Sequence, residues 1–361
     1  MTDPGPVTDP ERRSRLLGVK LLALVAAHLG RPDASTIAET STVPHGAAVV
    51  VDGAAWVLIE GPAARSLGGA LAWAVRQGAE ALHLVADDDT GTLARRASRF
   101  AFPIEVWFAD ERTLLPAVAE PLAEPVVARD EHLAFRDVIV EAGAATNVEH
   151  GVVVGEVRGL EVCRVVDEPT VGRFAELGDV DLVVPPSVPA SPSPAGDDGS
   201  SVTLEVGVGA NDREAFRMLH GDIPTVEALA AVVDSVRDVR SADAPQHPLN
   251  RLGQERYLRW RLEDDPTLVG MTSVVPTEPP LPRPNLKDPI PCVARAVRDD
   301  GTEHVLVCSV GVDLDLVGFV ADVQATTDLP VTVVVPPRDH VAITADLVAL
   351  LRESVDIVTV P

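Results

Sequence analysis

Hydrophobic and polar positions fall into short alternating runs closed by glycine turns, interleaved with longer runs of helical period. The clearest junction is Ser201 to Asp222. Val202, Leu204, Val206 and Val208 alternate with Thr203, Glu205 and Gly207, which predicts a strand with one apolar face and Glu205 on the other. Gly207 and Gly209 end that strand. Asn211 stands three residues before Glu214, the spacing at which a capping side chain and a returning carboxylate open a helix.

The same reading applies along the chain. Thr8-Asp9-Pro10-Glu11 opens a helix that continues to Gly30. Ala47 to Val51 and Ala55 to Ile59 form a hairpin about Asp52-Gly53, a turn pair suited to two-residue loops. A helix near 65–77, a strand at 81–86, a helix near 92–101 and a strand at 104–108 follow. The C-terminal end repeats the order: strands at 293–297 and 304–308 about Asp300-Gly301, a helix from 313, a strand at 331–335, a helix at 343–352 and a strand at 357–360. The two Asp-Gly turns lie 248 residues apart, and the elements after them keep close to that offset.

The expected fold class is therefore α/β. Duplicated small mixed-sheet modules, each hairpin, helix, strand, helix, strand, flank a central α+β segment. The divisions expected are an N-terminal module at 1–125, a central domain at 126–270, a proline-rich linker at 271–291 and a C-terminal module at 292–361. Residues 185–201, rich in proline, serine and glycine, read as a mobile loop of the central domain. That domain also holds strands at 152–154 and 160–166, with Glu156 and Glu161 beside them, and a periodic helix at 226–239. A further helix from 248 carries Arg251, Arg256, Arg259 and Arg261, which do not share one face. It reads as an intramolecular ion-pair helix packed through Leu252 and Trp260, or alternatively as a positive face for phosphate.

Composition narrows the chemistry. With a formal net charge of −25 the chain repels nucleic-acid phosphate, so nucleic acid is not the expected partner. Lys20 and Lys287 are the only lysines, and no P-loop sequence occurs. Cys163, Cys292 and Cys308 have no metal-ligand spacing and are odd in number, which fits a reducing cytoplasm. Lys20 interrupts the apolar run of the first helix and no run reaches the length of a membrane span, so neither secretion nor a membrane is expected.

Three stretches resemble known families. Asp87-Asp88-Asp89-Thr90-Gly91-Thr92 resembles the DxDGT loop of haloacid-dehalogenase-type phosphotransferases, but with Thr90 inserted before the glycine and neither lysine placed to serve it; the preferred reading is an acidic loop capping the next helix. Gly207-Val208-Gly209-Ala210-Asn211-Asp212 resembles the start of a dinucleotide fingerprint, with Asp212 in place of the third glycine. The order of helix, hairpin, helix and strand resembles PD-(D/E)xK nucleases, in which acids hold a divalent metal and a lysine serves the attacking water. Glu60 stands where that resemblance puts the ExK glutamate, but Pro62 takes the lysine slot. Ser309 and Gly311 fill the corresponding places of the last module.

Two functions lead on this reading, and a nucleotide-binding module at Gly207 and Gly209 is a third. One is a non-catalytic scaffold acting through a protein partner or self-association on degenerate modules. The other is a Mg²⁺- or Mn²⁺-dependent phosphodiesterase or nuclease on the central acids. For the second, Glu156, Glu161, Glu205 and Asp212 are the candidate metal ligands, and Glu205 and Asp212 the candidate catalytic residues.

Overall fold

A computed structural model describes residues 10–31, 39–167, 202–209, 212–215, 225–241, 247–282 and 289–361. The loop expected at 185–201 and the cap Asn211 lie outside the described residues. The chain gathers into two compact units, 1–123 together with 311–361, and 124–310. The α/β class holds in both.

In the first unit, α1 (Pro10–His28) precedes a six-stranded sheet whose strands lie in chain order. These are β1 (Ser41–Val43), β2 (Gly46–Val51), β3 (Ala54–Ile59), β4 (Ala81–Ala86), β5 (Ile104–Asp110) and β6 (Thr113–Pro116). Asp52 and Gly53 both take positive φ, 51° and 82°, the conformation a tight hairpin turn demands, so β2 and β3 pair antiparallel. α2 (Leu67–Arg76) and α3 (Thr90–Ala97) are crossovers, and they bring β4 and β5 in parallel to β3. α1 buries Leu17, Leu21, Leu24 and Val25 against Val49, Trp56, Leu58 and Val85 on one face of the sheet. The returning C-terminal segment adds α8 (Leu316–Thr326), β14 (Val331–Val335), α9 (Ala342–Val348) and β15 (Asp356–Thr359), with β14 and β15 parallel. α8 packs on α2 and α3, and α9 packs on α2 and α8.

In the second unit, the short helices α4 (Asp130–Leu133) and α5 (Arg136–Glu141) lead into an antiparallel meander. Its strands are β7 (Ala145–Glu149), β8 (Val152–Val157), β9 (Leu160–Asp167) and β10 (Val202–Val206), in the order β10-β9-β8-β7. α6 (Thr225–Val239) covers it, seating Leu229, Val233 and Val236 among Val153, Val162, Val165 and Leu204. α7 (Gln254–Asp264) packs against the antiparallel strands β11 (Ser273–Thr277), β12 (Cys292–Val297) and β13 (Glu303–Cys308).

Two local expectations are corrected. Part of the stretch read as an extended proline-rich linker is a strand: Ser273–Thr277 pairs with β12, and Pro276 is accommodated because β11 is an edge strand. The helix read from 248 is broken at Gly253, φ 53°, into a short 3₁₀ turn, Pro248–Arg251, and α7. Among the described residues no helix is long and apolar enough to cross a membrane.

Candidate functional site

The acids singled out in the central segment converge, but on arginines. β8 and β9 set Glu156 opposite Glu161 at a register irregularity after Gly155, a juxtaposition of like charges that costs free energy unless something is placed between them. α7 supplies it. Arg256 Nη1 lies 3.5 Å from Glu156 Oε1 and 3.6 Å from Glu161 Oε2, while its Nη2 donates to Glu149 Oε2 at 2.5 Å. Arg259 Nη2 donates to Glu156 Oε2 at 2.6 Å and its Nε to Glu263 Oε1 at 2.8 Å. Arg164 and Arg213 close the other side of Glu161, at 3.0 and 3.1 Å. Glu161 is fully buried and Arg259 is 1% exposed.

Electrostatics follow the geometry. Arg256 and Arg259 are penalised by burial, but the surrounding glutamates outweigh that and hold both guanidinium groups above their ordinary range. Burial lifts Glu263 above the ordinary carboxylate range, and Arg259 opposes the shift. The pKa of Cys308, register partner of Cys292, is raised by its hydrogen bond to that cysteine and by full burial, and both cysteines are buried and unbridged.

Glu205 and Asp212, the other candidates, sit at the edge of this cluster. Glu205 Oε2 lies 3.3 Å from Arg213 Nε, which links it to Glu161 through one arginine. Asp212 Oδ2 accepts the Val208 N–H at 2.7 Å, so the carboxylate occupies the donor that the glycine turn would offer an anion. Glu156, Glu161 and Glu205 are therefore joined through arginine, and Asp212 is tied to its own loop. Among the described residues, no group of three or more His, Cys, Asp or Glu is arranged to hold a metal ion.

A second cluster lies in the first unit, and here the scarce lysine counts. β3 and β4 are parallel with Ile59 beside Ala86, so Glu60 and Asp87, the next residues, emerge side by side at the strand ends. Lys20 of α1 reaches both: its Nζ is 3.0 Å from Asp87 Oδ2 and 4.0 Å from Glu60 Oε1. Arg13 Nη2 meets Glu60 Oε2 at 3.0 Å. Asp89, at φ 54°, accepts the Ala64 N–H at 3.3 Å and so ties its loop to the one after β3. Sequence reasoning looked for a lysine two residues after Glu60 and missed one arriving from the preceding helix.

A third feature gave no signal in the sequence. Trp56, His83 and Glu105 are register neighbours across β3, β4 and β5, which stacks Trp56 on the His83 ring at 3.9 Å and 10°. His83 Nδ1 lies 3.1 Å from Trp107 Nε1 and 3.2 Å from Glu105 Oε2. Burial lowers the His83 pKa against the opposing pull of Glu105. The Trp N–H can donate only to an unprotonated Nδ1, whereas a protonated Nδ1 must donate to Glu105. No family model matches the chain, and neither a curated protein nor a solved structure matches it.

Proposed function

We propose that this chain is a non-catalytic scaffold that works through protein contacts on degenerate nuclease-like modules. One observation carries the reading: the acids gathered in the second unit are saturated by Arg164, Arg213, Arg256 and Arg259, an arrangement suited to holding strands and a helix together. Buried charges paired with one another, as Glu149, Glu156 and Glu161 are, are not free to hold a metal or activate water. Contact surface is offered at the β6 edge, where the register partners Phe108 and Leu115 are 38% and 46% exposed. The test is copurification and sedimentation of the full chain. A stoichiometric partner or self-association is expected, weakened by Leu115→Glu; a monomer with no partner counts against the reading.

A second reading, a Mg²⁺- or Mn²⁺-dependent phosphodiesterase, is favoured by the placement of Lys20 against Glu60 and Asp87 at the ends of adjacent parallel strands. It moves the chemistry from the central acids to the first unit. Hydrolysis of bis(p-nitrophenyl) phosphate with Mn²⁺, lost in both Lys20→Met and Asp87→Asn, would replace the scaffold reading. Turnover at the level of the buffer retires the enzyme.

A further inference from the structure

Within the first unit, 61–110 and 311–359 carry the same devices at a nearly fixed offset. Gly61 and Gly311 both take positive φ after a strand, at 113° and 87°. Asp89 accepts the Ala64 N–H and Asp339, 250 residues on, accepts the Gly311 N–H, each tying two loops of its own segment. Leu93, Arg96, Ala97 and Phe100 are the buried positions in and just after α3; 251 residues later Thr344, Leu347, Val348 and Leu351 are the buried positions in and just after α9.

The two segments also meet reciprocally. Phe100 forms an antiparallel bridge with Leu351, its own counterpart. Ala101 N–H donates to Leu350 O at 2.8 Å, and Arg352 N–H donates to Arg99 O at 2.8 Å, so exchanging the segments maps each bond onto the other. The helices repeat this exchange: α2 packs on α8, α3 crosses to α8, and α9 crosses to α2. A residue pairing with its own counterpart is the mark of an isologous interface about a two-fold axis.

Among the contacts that do not repeat is a buried ion-pair triad. Asp322 of α8, fully buried, accepts from Arg95 Nε at 3.2 Å and from Arg96 Nε at 2.8 Å, both on α3. The counterpart crossing of α9 on α2 has nothing similar, since α2, LGGALAWAVR, holds no acid and α9, AITADLV, holds no basic residue. We infer that these segments are two copies of one module paired across a local two-fold, and that the Arg95–Asp322–Arg96 triad fixes which copy pairs with which. Pairing two N-terminal copies would bury Arg96 against α2 without a carboxylate. Pairing two C-terminal copies would bury Asp322 against α9 without a base. Either leaves a desolvated charge unmatched, the repulsive element by which an otherwise self-complementary surface rejects the wrong partner. The inference does not depend on the scaffold reading.

The test uses the full chain in three variants: Asp322→Ala, Arg95→Ala with Arg96→Leu, and all three together. Each of the first two strands a buried charge and is expected to lower the thermal midpoint by roughly 10 °C. The combined variant removes both partners and is expected to regain most of that loss. Coexpressing the first two variants is expected to give a one-to-one dimer. In that dimer each chain's 1–123 pairs with the other's 311–361, which rebuilds the triad in one pair and makes an uncharged pair in the other. A combined variant no more stable than the worse of the two, or coexpressed variants that stay monomeric, overturns the inference.

Discussion

Asp315, immediately before α8, shows how one carboxylate reports on its surroundings. Burial pushes its pKa up to about 6, Asp313 adds to the rise, and a hydrogen bond from the Gly68 backbone only partly opposes it. Its Oδ1 is buried without a hydrogen bond. Because the folded-state value exceeds the unfolded one, the folded chain binds more protons between about pH 4 and 6. This residue's contribution to stability is therefore full below that window and declines as pH rises through it. Asp315→Asn removes the titration and keeps an acceptor for Gly68. We expect the variant's midpoint to exceed the parent's at pH 7, with the gap closing toward pH 4, in thermal melts taken across that range. A gap independent of pH would place the strain elsewhere.

At the scale of elements, Arg240 binds the end of α6 to the turns around it. Nε donates to Arg158 O at 2.8 Å, Nη1 to Leu249 O at 2.8 Å and Leu252 O at 2.9 Å, and Nη2 to Gly253 O at 2.9 Å. Burial lowers its pKa to about 10, so it remains charged at neutral pH. A planar fork reaches carbonyls in several directions at once, which a lysine ammonium on a flexible stem cannot reproduce. Arg240→Lys should cost about 3 kcal/mol, measured by urea unfolding, as buried carbonyls lose their donors. Nothing in the local sequence around Arg240 marked this role, because its acceptors come from residues near 158 and near 250. The strands were legible for the opposite reason. β4 and β14 fall where 81–86 and 331–335 were read, since continuous apolar runs between turn residues need no distant partner to declare themselves. Both Asp-Gly hairpins are present. The candidate acids were also visible as acids, yet their state was not. Glu156 and Glu161 are silenced by Arg256 and Arg259, about a hundred residues away in sequence. Lys20 likewise reads as an interruption of an apolar helix until β3 and β4 bring Glu60 and Asp87 beneath it.

At the scale of the whole chain, the first unit is discontinuous and the second is not. The buried apolar residues around β7 to β10 run from Ala128 to Val236, with Leu249 and Leu252 packed against them, so the contacts of this core close within one stretch of chain. The first unit instead needs both chain ends: α8 and α9 cover α2 and α3, and Asp322 is the carboxylate that matches buried Arg96. Ending the chain after Val310 removes that cover. It uncovers the helix faces and leaves Arg96 with neither its acid nor full access to water, a loss comparable to a domain's whole stability. Amide hydrogen exchange on the 1–310 chain is therefore expected to show protection lost across β2 to β5 and kept across β7 to β9, as cooperative units exchange separately when their cores are separate. Protection lost in both places would mean that the two cores fold as one, and the division of the chain into two units would then describe its contacts but not its energetics.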